Sequence, residues 1–253
     1  MATQQQKKFT ILLIGDSCTD SYQYGVVDRL SPEAPVPVFQ PRWEEGRPGM
    51  AGNVYENLIN LGCSVDFETN SEKIVKTRYI DIRSRQHLMR VDRDVVLKPW
   101  VNNKKSLTRY DAIVISDYDR GFVTSEAVRQ LREQYTGPIF IDTKKRDLAQ
   151  FSGCIVKINE LEYSRSTSKC DNLIVTQGDR GAHYYDRGLV TEYPAQRVEV
   201  ADVCGAGDTF LAALAFEYLR RGNYWLAIEF AIRASAVTVQ HTGVYAPELK
   251  EIS

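Results

Sequence analysis

The chain has 253 residues, 43% hydrophobic and 26% charged, with 32 basic against 33 acidic side chains and a formal net charge of -1. These values match soluble globular proteins and exclude disordered, collagen-like and fibrous classes. The near-neutral balance argues against a nucleic-acid or membrane-surface partner, and no apolar run approaches the ~20 residues that span a bilayer.

In chain order, Phe9 to Ile14 is an apolar run ended by Gly15-Asp16 and reads as a buried first strand. A signal peptide is not expected, because no small-residue cleavage pattern follows. A polar, turn-rich stretch comes next, then a short half-exposed strand at Val36–Phe39 flanked by prolines, as at a sheet edge. Val54, Leu58 and Leu61 have helical spacing, so 51–61 is a helix. Strands follow at 64–67, 74–80 and 86–91, the last two polar-faced. The remainder alternates: strands at 112–116, 138–142, 154–158 and 172–176, with a helix at 124–134 between the first two. Short strands at 182–186 and 189–193 precede two long helices, 206–221 and 223–240. Such alternation predicts an α/β fold with a mostly parallel central sheet flanked by helices. Segments 20–47 and 74–97 break the rhythm and are expected to form a small β-sheet lid over the strands' carboxyl ends, where ligands bind in open sheets. The whole, 1–253, reads as one domain with these segments inserted. Five scattered cysteines without a C-x-x-C pair suggest a reduced, cytoplasmic setting.

The most informative segment is Asp202-Val203-Cys204-Gly205-Ala206-Gly207-Asp208. A glycine turn feeding a buried helix presents orphan N–H donors and the positive end of the helix dipole, a device for phosphate. Asp208 beside it can take a proton from an attacking hydroxyl, although spacing alone favours helix capping for it. Asp202 also reads as a cap or loop residue. Asn159 and Glu162, three apart after a strand, can orient a hydrated Mg²⁺ and phosphate oxygens or simply cap a helix. Thr176-Gln177-Gly178 can approach a nucleotide or serve only as a hairpin turn. Asp16 and Asp20 after the first strand, and Gly49 to Asn53 before the helix, place carboxylates and amides where hydroxyl-rich ligands bind. No Walker A motif, dinucleotide fingerprint, nucleophile elbow or zinc-ligand spacing is present.

Together, in this order along the chain, these segments resemble the ribokinase-like (PfkB) family of carbohydrate kinases. Arg29 to Val38, Lys76-Thr77-Arg78, Arg90-Val91-Asp92, Ser116-Asp117-Tyr118 and Ile141 to Lys144 are similar to the subgroup acting on D-glycero-β-D-manno-heptose 7-phosphate. The resemblance implies a ribokinase-like fold and transfer of the γ-phosphate of ATP to a sugar-phosphate hydroxyl, the anomeric oxygen in that subgroup, on the route to the heptose of lipopolysaccharide. It makes Asp208 the base and Gly205, Ala206 and Gly207 the anion hole. Asn159, Glu162, Thr176 and Gly178 become nucleotide residues, with Glu162 acting on Mg²⁺ through water. Asp202 would help hold a monovalent cation such as K⁺. Asp20, Gly49 and Asn53 would grip the sugar, Lys144 would meet a phosphate, and a homodimer would form through the lid. Some subgroup members carry a nucleotidyltransferase domain, which this chain is expected to lack. It also departs from the pattern: the segments after 68 and over 164–171 are short, Met50 replaces a glycine, and Lys157 precedes Asn159. These losses leave open a compacted pseudokinase that binds sugar or nucleotide as a regulator, and a kinase for another sugar or a nucleoside.

Overall fold

The computed structural model describes residues 8–93 and 95–252. Its larger sheet has eight strands: β1 (Thr10–Gly15), β4 (Ser64–Thr69), β7 (Ala112–Asp117), β8 (Ile139–Thr143), β9 (Ile155–Asn159), β10 (Leu173–Thr176), β11 (Ala182–Asp186) and β12 (Leu189–Tyr193). Their spatial order is β12-β11-β10-β9-β8-β7-β1-β4. Pairing is parallel from β4 to β10 and antiparallel for β11 and β12.

The continuous apolar runs arise because both faces of this sheet are covered. In β1, Ile11 and Leu13 face a layer built from α1 (Ala51–Asn60), α4 (Ala206–Arg221) and α5 (Tyr224–Thr238). Leu12 and Ile14 face the other side, against residues of α2 (Ser125–Gln134), Trp100, Phe122 and Phe151. Helix α4 is buried along most of its length, which is why its sequence is apolar all round. It ends at Gly222, whose left-handed conformation (φ 63°) closes the last turn through an N–H donated to the Tyr218 carbonyl.

A separate four-stranded sheet stands beside the carboxyl end of β1. It is made of β2 (Ser17–Leu30), β3 (Pro37–Met50), β5 (Val75–Asp81) and β6 (His87–Arg93), in the order β3-β2-β5-β6. The turn-rich reading of the stretch after Gly15 is corrected here, because it is a 14-residue strand. The strand at 36–39 is likewise only the start of the 14-residue β3. Polarity conceals β2, which buries Asp20 and Ser21 along with Tyr22 and Val26, its charge matched by Arg78 of β5, and β3 is concealed because it is exposed along most of its length. Hydropathy alternation cannot register a strand whose buried face is charged.

Two details of the chain's path place the site. Only Asp16 separates β1 from β2, and its backbone binds both Ser116 and Ala51. Met50, between β3 and α1, adopts φ 58° and ψ −129° with its side chain buried. That conformation is natural only to glycine, which accounts for the glycine in the resembling family at this point. Among the described residues no helix is long and apolar enough to cross a membrane.

The packing gives a direct test. Leu214, fully buried on α4 between the sheet and α5, is expected to cost about 2–5 kcal/mol of stability on Leu214→Ala, measured by urea unfolding with an unchanged denaturant slope.

Candidate active site

The carboxyl ends of β1, β7, β8, β9 and β10 deliver Asp16, Asp117 with Tyr118, Asp142 with Lys144, Asn159 and Thr176 to one edge of the sheet. Against that edge stands the first turn of α4. Gly205 occupies its N-cap in the left-handed conformation (φ 81°), and no side chain caps the turn. The N–H groups that every helix leaves unsatisfied at this end are therefore free of an internal side-chain acceptor. A β-carbon on Gly205 would come within 2.7 Å of the Asn53 amide, and one on Gly207 within 2.8 Å of Lys157 Nζ. Glycine at both positions keeps the turn compact.

The capping role for Asp208 is thereby excluded, since Gly205 holds that place. Asp208 lies buried within the first turn. Asn53 Nδ2 donates to its Oδ2 at 2.9 Å, and the Tyr118 hydroxyl donates to its Oδ1 at 3.1 Å. Burial pushes its pKa from 3.8 up to about 6; the Asn53 bond opposes the rise, Asp142 adds to it, and Lys157 and Tyr118 offset part of it. A carboxylate so tuned is an effective base near neutrality.

Behind Asp208 runs a line of alternating charge. Lys157 Nζ, buried, lies 2.7 Å from Asp142 Oδ2, while Asp142 Oδ1 is buried without a hydrogen-bond partner. Lys144 stands 3.7 Å from that oxygen and binds Glu162 directly. Burial would raise Asp142, but Lys157 and Lys144 outweigh it and hold the acid low. Burial likewise opposes charge on Lys144, and Asp142 and Glu162 prevail, raising it.

Asn159 and Glu162 form a reciprocal capping box at α3 (Glu160–Arg165): Glu162 N–H donates to Asn159 Oδ1 at 2.8 Å, and Asn159 N–H to Glu162 Oε2 at 2.7 Å. The capping alternative is thus realised, and the free edge of Glu162 carries Lys144. Asp202 accepts the Cys204 and Gly243 N–H groups at 3.0 Å each. Burial opposes its ionisation, but these backbone bonds keep it below the usual carboxylate range.

On the lid side, Asp20 forms a buried ion pair with Arg78. A β-carbon on Gly49 would collide with the Asp20 carboxylate, so glycine is needed there. Asn53, expected to grip sugar, donates its amide to Asp208, and its amide oxygen accepts from Asn57 at 3.1 Å.

A cavity of about 590 Å³ opens on the other side of the α4 turn. Thr176, Gly178, Ala206 and Gly207 line it, with Val198, Val200, Val203, Phe210 and Val239 supplying apolar walls. The Thr176–Gly181 segment is both the hairpin between β10 and β11 and a wall of this cavity. Motif reading does not single out the valines. A signal for them exists: Val200 and Val203 are 53% and 70% exposed, and Val198, Val200 and Val203 immediately precede the glycine turn.

Residues 126–251 match the family model for pfkB family carbohydrate kinase. These residues, about half of the chain, are similar to a pfkB carbohydrate kinase domain. The chain is 30% identical to the bifunctional protein HldE of a Nitratiruptor species, over 96% of this chain and 64% of that protein. It is 33% identical to the bifunctional protein HldE of Hyphomonas neptunium, over 96% of this chain and 62% of that one. The chain thus spans slightly under two thirds of the length of these curated relatives. The Nitratiruptor alignment runs over 296 positions, more than this chain possesses, so the relative carries insertions inside the matched region. In fold, it superposes on the ribokinase of Arabidopsis thaliana complexed with ribose and ATP (TM-score 0.73, 15% identity, 97% and 98% of the two chains). The phosphofructokinase-2 of Escherichia coli in complex with potassium superposes equally well (TM-score 0.73, 14% identity, 97% and 96%). The architecture is ribokinase-like, with its small separate sheet.

Within the matched region the buried Asp208 carries a charge at a cost. Its raised pKa means that the penalty is present above about pH 6 and absent below the unfolded value near 3.8. Asp208→Asn is therefore expected to stabilise the fold by about 1–3 kcal/mol at pH 8, the gain vanishing as the pH falls below 4, as read from urea unfolding across pH.

Proposed function

We propose that this ATP-dependent carbohydrate kinase phosphorylates a sugar phosphate, with the anomeric hydroxyl of a heptose 7-phosphate as the preferred acceptor. The observation that carries this reading is the placement of Asp208: a buried carboxylate, held at both oxygens by Asn53 and Tyr118, within the first turn of α4 beside the glycine N-cap. The heptose preference rests on the subgroup-like lid and strand-end segments together with the HldE relatives.

In this reading the adenosine lies against the valine-walled cavity and the triphosphate extends past Thr176 and Gly178 to Gly205-Ala206-Gly207. Asp208 takes the acceptor's hydroxyl proton as that oxygen forms its bond to the γ-phosphorus. The bond from the γ-phosphorus to the β-bridging oxygen breaks, and ADP leaves. The α4 N–H groups hold the charge on the transferring group, which suits a reaction governed by positioning and electrostatics.

Mg²⁺ fits the site's chemistry. Among the described residues no group of three His, Cys, Asp or Glu stands ready to hold a metal directly, and Mg²⁺ characteristically binds nucleotide oxygens and water with one or two carboxylates. The unpartnered Asp142 Oδ1 and the edge of Glu162 would receive that hydrated ion, and the ion would neutralise phosphate charge. Lys144 would then exchange a carboxylate for a phosphate. Asp202 would support a monovalent cation such as K⁺ behind the turn. The exposed Leu30, Val36, Trp43, Leu88 and Met89 of the lid region would supply a homodimer contact, and five free thiols suit a reducing cytoplasm.

The test is ADP release from purified protein with ATP and Mg²⁺, over an acceptor panel led by D-glycero-β-D-manno-heptose 7-phosphate. Heptose-dependent release is expected, with Asp208→Asn slower by about 10³-fold or more. The free-enzyme profile, kcat/KM, should decline as the pH falls through about 6. ATP binding with no turnover on any acceptor would replace this reading with that of a regulatory binding protein.

A further inference from the structure

We propose that Tyr118 positions the base and selects the acceptor: its phenol fixes the Asp208 carboxylate, and its ring gathers Lys76 and Lys144 into a site for an anionic group. This rests on the kinase reading for the acceptor, but the bracing of Asp208 stands on geometry alone.

Tyr118 follows β7 in a tightly tied turn. Its own N–H donates to Asp16 Oδ2 at 2.8 Å, and the Asp119 N–H donates to Asp117 Oδ1 at 3.0 Å. Asp117, buried, is held in turn by the Thr143 hydroxyl and by Lys145, each at 2.7 Å. The Lys144 N–H donates to the Asp117 carbonyl at 3.0 Å. The turn therefore has little freedom, and the phenol it carries reaches Asp208 at 3.1 Å. Asn53 holds the other oxygen. Two donors from different elements, α1 and the β7 turn, define the carboxylate plane. Removing one leaves the group free to rotate about its own bond.

The same ring lies beneath two ammonium groups. Lys76 Nζ is 5.1 Å and Lys144 Nζ 5.2 Å from its centroid, both within cation–π range. Lys76 comes from lid strand β5 and Lys144 from the sheet edge. Lys144 is paired with Glu162 and Asp142 at rest, so an incoming anion reaches the two ammonium groups by drawing Lys144 from its carboxylates while Lys76 adds a second positive charge. Because the ring's hydroxyl touches the base, an anion bound there lies on the same face as the hydroxyl to be activated. That arrangement selects acceptors that already bear a phosphate, and it ties the lid to the base through one side chain.

The groups facing Asp208 are Asn53 from α1, Tyr118 after β7, Asp142 and Lys144 from β8 and its following residue, Lys157 from β9, and Cys18 from β2. Of these, Tyr118 and Asn53 lower its pKa by hydrogen bonding.

Tyr118→Phe keeps the ring and both ammonium contacts and deletes only the hydroxyl. A hydrogen bond to a charged group is worth enough for about a 10–100-fold fall in kcat. The KM for ATP should stay within about two-fold, and the acid limb of kcat/KM should move to higher pH. A residue that merely supported the fold would leave that limb in place. Lys76→Met should lower kcat/KM by about 10-fold or more for a phosphorylated sugar and leave the same sugar without its phosphate nearly unchanged. An unmoved acid limb in Tyr118→Phe, or equal losses for both sugars in Lys76→Met, overturns the corresponding half of the proposal. If the wild type turns over no acceptor, the kinase reading fails by itself. A ¹³C NMR titration of the Asp208 carboxylate, assigned with Asp208→Asn, then decides the bracing: a higher midpoint in Tyr118→Phe supports it, and an unchanged midpoint overturns it.

Discussion

A negative charge buried at the start of a helix governs the arrangement around it. Asp208 lies next to another carboxylate, Asp142, in a place largely closed to water. Desolvation alone would keep it protonated and useless as a base. The surrounding elements each answer that problem. The glycine turn brings the helix's positive end close, α1 supplies the Asn53 amide, the β7 turn supplies a phenol, and β9 brings Lys157 against Gly207. The sheet's parallel pairing makes this convergence feasible, since it turns the carboxyl ends of five strands toward one point.

Much of this architecture is legible from residues alone. Strands covered on both faces by helices must read as unbroken apolar runs, and Ile11–Ile14 and Ala112–Ile115 do. The glycine turn before α4 is legible because few segments combine two glycines with a carboxylate ahead of a wholly apolar helix. The lid is legible only as a break in rhythm. Its longest strands hide for two reasons: β2 buries Asp20 and Ser21 beside Tyr22 and Val26, with Asp20 paired to Arg78 of β5, and β3 is exposed along most of its length.

The site divides along the same line. Residue types point to a candidate base, anion hole and nucleotide wall, but not to which polar groups touch which. Asn53 can be assigned to a ligand from sequence, yet its nearest partner is a carboxylate 155 residues away. Tyr118, a tyrosine in a turn, carries no local sign of its task. Lys157 looks like an oddity before a cap motif; its meaning lies in Asp142, on the neighbouring strand. Long-range charge pairing is a property of strand order, and a linear pattern does not encode it directly.

The alternating line of Asp142, Lys157, Lys144 and Glu162 has a further consequence. Two acids and two bases cancel, so this quartet is electrically self-balanced, and Asp208 tips the region toward negative. Taken by itself, the quartet offers an approaching polyphosphate no surplus of positive charge beyond the helix end. In the proposed function, admission of a polyphosphate would be an ion-exchange process, in which the incoming chain brings its own counter-ion and Lys144 changes partners. For the polyphosphate, a line so balanced would favour a neutralised salt over a bare anion.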